Sequence, residues 1–107
     1  MYRLSSKKFT SGQEDRAMRR DKIAFACRMR KVFGQPYRDV NSSFNFEFIW
    51  NIEKNEEERC SLTAKWMNGK IICTVLAGHT LHFWESTTGK KAAARFCEVV
   101  EGWRKEP

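Results

Sequence analysis

Asn68-Gly69 lies between two stretches that read as strands, Cys60–Met67 and Lys70–Leu76. Asn-Gly is the pair best suited to a two-residue turn, because both residues tolerate positive φ. In the first stretch Leu62, Ala64 and Trp66 alternate with Ser61, Thr63 and Lys65, the period of a strand with one face in a core. The chain is thereby committed to an antiparallel hairpin. Upstream, Phe44 to Asn51 alternates in the same way, with Phe44, Phe46, Phe48 and Trp50 on one face. A row of four aromatics on a strand of a small domain reads as core rather than as a base-stacking platform. Between these two strands, Glu53–Glu58 is a charged turn. Downstream, Ala77-Gly78 makes another turn and Thr80–Trp84 a fourth, short strand.

Helical periods flank these strands. From Gln13 or Glu14 to Phe33, residues Met18, Phe25, Met29, Val32 and Phe33 fall on one side of a helical wheel. Arg16, Arg19, Arg20, Arg30 and Lys31 fall on the other, with Ile23 and Cys27 inside that basic face. Ser11 has the spacing of an N-cap to Glu14, Arg30 and Lys31 suit the last turn, and Gly34 then Pro36 end the helix. Gln35–Ser43 reads as loop. Ser86, Thr87 and Thr88 supply N-cap candidates for a final helix to about Arg104, with Ala92, Phe96, Val99, Val100 and Trp103 on its apolar face.

The expectation is an α+β fold: an N-terminal amphipathic helix, a four-stranded antiparallel meander, and a C-terminal helix packed on the sheet. Residues 1–12 read as a flexible basic arm and 13–107 as a single domain, as suits a chain of 107 residues. If both apolar stripes pack on one face of the sheet, Asn45, Glu47, Thr63 and Lys65 stand on the other.

Charge is unevenly placed. The chain carries a net +7, and residues 1–40 hold eleven Lys or Arg against Glu14, Asp15, Asp21 and Asp39, so the remainder is neutral. Clustered cations of this kind track phosphates by displacing condensed counterions. Lys90 and Lys91 add to them in the first turn of the last helix, where the macrodipole disfavours cations unless an anion is near. A phosphate held there by backbone N–H groups resolves that conflict. The site expected from sequence is therefore Arg16, Arg19, Arg20, Arg30, Lys31, Lys90 and Lys91 on nucleic acid.

Other chemistries are poorly supported. The chain has no Gly-x-Ser-x-Gly, no phosphate-cradling glycine loop and no His-Glu-x-x-His, and nothing brings His79 or His82 to a cysteine, so no enzyme activity is expected. Cys27, Cys60, Cys73 and Cys97 lack metal-ligand spacing; they read as free, mostly buried thiols, with no metal and no cofactor. No apolar run approaches a membrane span, no small-molecule substrate is evident, and MYRLSSKKFTSG lacks an apolar h-region, which points to the cytoplasm.

Thr88-Gly89-Lys90-Lys91-Ala92-Ala93-Ala94-Arg95-Phe96, directly after Thr80–Trp84, is similar to the helix start of the plant ethylene-response-factor and phage-integrase arm-type DNA-binding domains. The resemblance spans Leu62 to Trp103. It implies a sheet lying in the major groove, with Lys65, Lys70, Thr74 and His82 as readers, and it ranks DNA ahead of RNA. The chain departs from that family in its nearly neutral sheet and in the added strand Phe44–Trp50. The order helix, strands, helix and the Lys90-Lys91-Ala92-Ala93 start also resemble the double-stranded-RNA-binding domain. The alternative is a small, phage-regulator-like inhibitor or adaptor that docks on a nucleic-acid-processing protein complex through Ile23, Cys27 and neighbouring arginines.

Overall fold

A computed structural model describes residues 11–41 and 46–106, with side chains from Met18 onward and excepting Asn41. Its elements are α1 (Ser11–Phe33), β1 (Arg38–Asn41), β2 (Phe46–Glu53), β3 (Arg59–Met67), β4 (Lys70–Ala77), β5 (Thr80–Ser86) and α2 (Gly89–Lys105). The protein is α+β, with an antiparallel sheet in the order β1-β2-β3-β4-β5. Among the described residues the sheet has five strands rather than the four expected. β1 falls in the stretch read as loop, and its four residues, Arg-Asp-Val-Asn, carry too little alternation to announce a strand. It exists through pairing with β2, where Arg38 faces Ile49 and Asn41 faces Phe46.

The turns follow local chemistry. Asn68 (φ 51) and Gly69 (φ 75) both take positive φ between β3 and β4. Gly78 (φ 63) opens the two-residue link to β5, with Ala77 facing Thr80 across it. Between β2 and β3 the Asn55 side chain accepts the N–H groups of Glu57 and Glu58, each at 2.9 Å, which closes the acidic turn on itself.

α1 starts earlier than its sequence suggests. Ser11 and Gly12 are helical, so Ser11 is not the N-cap and the expected arm of residues 1–12 overlaps the helix. The rest of that arm, with Phe44 and Asn45, lies outside the described residues. At the other end Gly34 (φ 80) donates its N–H to the Arg30 carbonyl at 2.9 Å, and its own carbonyl accepts the Trp50 indole N–H at 2.9 Å. The helix C-terminus is thereby tied to the middle of β2.

Both helices cover one face of the sheet. That face supplies Phe48, Trp50, Ile52, Leu62, Ala64, Trp66, Ile71, Cys73 and Val75, all buried. Phe25 of α1 stands at the hub, its ring centroid 5.9 Å from Phe48, 5.9 Å from Trp50, 5.3 Å from Trp66 and 5.9 Å from Phe96 of α2. Met29, Ala92, Ala93, Val100 and Trp103 complete the core. Val32 departs from its expected place in the apolar stripe and is 54% exposed, because α1 and α2 leave a groove at its level. Lys22 takes a buried place in that stripe instead, its ammonium 4.4 Å over the Phe46 ring. Burial pushes its pKa down, Asp39 partly offsets that, and Arg19 adds to it.

Candidate nucleic-acid interface

α1 and α2 run side by side in the same direction. Gly89, the first residue of α2, sits against Asp21 and Phe25, and a Cβ placed there would lie 2.5 Å from the Asp21 carbonyl oxygen. Further along, Ala24, Cys27, Arg28, Lys31 and Val32 of α1 and Ala93 and Cys97 of α2 line a shallow groove of about 460 Å³. Lys90 precedes Ala93 by three residues and Cys97 by seven, so it stands on the same stripe at the head of the groove. Arg20 precedes Ala24 by four and continues the α1 wall in the same way.

Arg19, Arg20, Lys31, Lys90 and Lys91 are exposed, as is Arg28, which the wheel had not singled out. Among the described residues none of these six stands within an ion pair. Arg28 escaped the sequence reading because it flanks α2, and only the packing of the two helices gives that flank a meaning. Arg30 differs from its neighbours: its guanidinium reaches Asp39 of β1 at 3.4 Å and Gln35 at 3.2 Å. The Arg16 side chain lies outside those described. Ile23 is 53% exposed and Cys27 is exposed, so both occupy the outer surface among the basic residues.

The start of α2 is arranged otherwise than a phosphate seat requires. The Gly89 N–H donates to Asp21 Oδ1, and the Lys91 N–H donates to the Thr88 hydroxyl oxygen at 3.2 Å. Thr88 is thus the N-cap among the three candidates. The anion that answers the positive end of this helix is the chain's own Asp21, whose other oxygen accepts the Trp66 indole N–H at 3.2 Å. What remains free at this corner is the pair of lysine side chains, not the backbone cradle.

The opposite sheet face is different in character. By register it carries Arg38, Arg59, Lys65 and Lys70 against Glu47, Glu53 and Glu85, so its charge is nearly balanced. Glu47 faces Lys65 directly, and Lys70 holds Glu85 at 3.2 Å. Of the readers implied by the DNA-binding resemblance, Lys65, Lys70 and Thr74 share this face. His82 does not, because it faces the buried Val75 on the helix side.

The four thiols divide into two pairs. Cys60 and Cys73 are buried, and burial pushes their pKa values up to about 11 and about 12. Cys27 is exposed and Cys97 half-buried, so only two of the four meet the expectation of burial. Among the described residues no three His, Cys, Asp or Glu side chains are placed to hold a metal ion, and no helix is long and apolar enough to cross a membrane.

Fold and surface together define a two-layer α+β protein with a basic helical layer and a nearly neutral sheet face. No protein-family model, curated protein or solved structure matches the chain.

Proposed function

We propose that this protein is a non-catalytic nucleic-acid-binding module that contacts phosphates through the outer surface of its helical layer. Arg19, Arg20, Arg28 and Lys31 of α1 and Lys90 and Lys91 of α2 form the contact surface, while Arg30 is held by Asp39 and Gln35. The observation that carries this reading is the segregation of charge between the two layers. Six exposed cations without ion-pair partners among the described residues stand on the helical side, while the sheet side is close to neutral. Surfaces with no anionic partner ordinarily mix signs, and separation on this scale steers a polyanion to one side. Arg28 and Lys31 line the α1 side of the groove and the small side chains of Ala93 and Cys97 its α2 side, which leaves the α1 cations open to a ligand lying along it. DNA ranks ahead of RNA on the resemblance of the α2 start to DNA-binding domains.

The test is fluorescence anisotropy with single- and double-stranded DNA and RNA across a salt series. If all six cations contact duplex phosphates, log K falls with log salt at a slope of about −5. An Arg20→Ala/Arg28→Ala/Lys31→Ala variant flattens that slope by about 3. Absence of binding at low salt refutes the reading.

One observation favours a second reading. Ile23 and Val32, each more than half exposed, place apolar surface beside arginines within the basic layer, a composition suited to a protein partner held mainly by apolar contact. On that reading the chain is an inhibitor or adaptor of a nucleic-acid-processing complex, and Ile23→Asp abolishes a stoichiometric, weakly salt-dependent association.

A further inference from the structure

The sheet face opposite the helices carries a cluster of apolar side chains that the fold leaves uncovered among the described residues. Leu76 is 48%, Leu81 61% and Phe83 62% exposed. They are neighbours, not scattered residues: Leu76 faces Leu81 across the β4–β5 ladder, and Phe83 is the next side chain along β5 on the same face. Ile72 of β4 and Met67, 46% exposed at the end of β3, extend the cluster along the face. Single exposed apolar residues are ordinary, but a contiguous group on a flat sheet face marks a contact surface.

We propose that this face is a self-association surface, on which a second copy of the chain stacks sheet against sheet through Leu76, Leu81 and Phe83. Charge selects the occupant. The chain carries +7 overall, so two copies repel wherever their helical layers approach. On the sheet face four cations stand against three anions, so a copy meets another there at little electrostatic cost. A single exposed aromatic among aliphatic side chains, Thr74 and Glu85 does not make a base-stacking platform, which needs several rings in a positive groove. The area is adequate: strands of four to nine residues spaced ~4.8 Å apart give a face of roughly 600 Å² in projection. A stable interface covers about 800 Å² of accessible surface per partner, and pleated side chains raise accessible area well above projection. Two sheets stacked in this way make a four-layer molecule whose basic helical layers both point outward.

Sedimentation equilibrium of the full chain over two decades of micromolar concentration tests the proposal. The expected result is a mass rising from 12.6 kDa toward twice that value and no further, because one face per chain closes the assembly. High salt leaves the association intact or strengthens it. Leu81→Lys/Phe83→Lys and the milder Phe83→Ser weaken it at least about tenfold with unchanged far-ultraviolet circular dichroism. The Arg20→Ala/Arg28→Ala/Lys31→Ala variant dimerises like the wild type, so this result is independent of nucleic-acid binding. A monomer at every concentration overturns the proposal, and so does a dimer that survives both β5 variants or a species that grows beyond two copies.

Discussion

The carboxylate of Asp21 accepts the backbone N–H of Gly89, joining α1 to the first residue of α2 across sixty-eight positions of sequence. One side chain thereby answers the positive end of α2, satisfies the Trp66 indole and sets where the two helices touch. Asp21→Ala is expected to cost about 2–3 kcal/mol, since it removes a charged acceptor from two part-buried donors. Gly89→Ala is expected to cost about 1–3 kcal/mol by a different route, because the new methyl meets the Asp21 carbonyl and the Phe25 Cβ. Urea denaturation of both variants checks this, and a Gly89→Ala protein as stable as wild type contradicts the close approach described for the helices.

The basic surface makes a residue-level prediction. Arg28→Ala is expected to lower the salt slope of nucleic-acid binding by about one, the share of a single phosphate contact. Arg30→Ala is expected to leave it unchanged, because Asp39 and Gln35 already hold that guanidinium. Equal losses at the two positions in anisotropy titrations would move the footprint toward β1.

Thiol accessibility follows from placement. A chromogenic disulfide reagent at neutral pH is expected to modify Cys27 rapidly and to leave Cys60 and Cys73 untouched until denaturant is added. Cys97, half-buried with its pKa raised by burial, reacts more slowly than Cys27. Mass spectrometry of partly modified protein assigns the order, and early modification of Cys73 contradicts a closed core.

The buried thiols also tie stability to alkaline pH. Their folded pKa values, about 11 for Cys60 and about 12 for Cys73, lie above the ordinary value of 9.0. Above that ordinary value the unfolded chain loses these protons while the folded chain keeps them, so each thiol's contribution is complete below about pH 9 and is lost as pH rises through the folded pKa. Each contributes a slope of roughly −1.4 kcal/mol per pH unit within its window. Lys22, with its pKa pushed down by burial, contributes the opposite sign in the alkaline range. The thiol contribution is therefore read as a difference: Cys73→Val is expected to lose less stability than wild type between pH 9 and 11 in denaturant titrations.

Two tryptophans predict contrasting costs. The Trp50 indole donates to the Gly34 carbonyl, whereas the buried Trp84 N–H has no partner among the described residues. Trp84 instead packs 4.8 Å from Phe96 and beneath the Arg95 guanidinium. Trp50→Phe is expected to exceed Trp84→Phe in destabilisation by about 1–3 kcal/mol, since the former strips a bond and the latter removes an unsatisfied donor. Thermal unfolding of the pair settles the order.

Local chemistry made much of this molecule legible in sequence. The alternation around Phe48 and Trp50, the Asn68-Gly69 turn, the Thr88 cap and the apolar stripe of Ala92, Phe96 and Trp103 each act within a few residues, so a stretch of chain declares them. The concentration of positive charge in residues 1–40 is likewise a property of composition. Tertiary structure decided what depends on partners far apart. β1 is a strand only because β2 offers its edge, and both helices share one sheet face, leaving Leu76, Leu81 and Phe83 open on the other. Arg30 is engaged because Asp39 comes to it, and Asp21 is the anion at the start of α2 because the two helices run side by side. A residue's own periodicity tells whether it faces in or out. Which group it meets there is a long-range pairing, set by how whole elements pack, and no local pattern carries it.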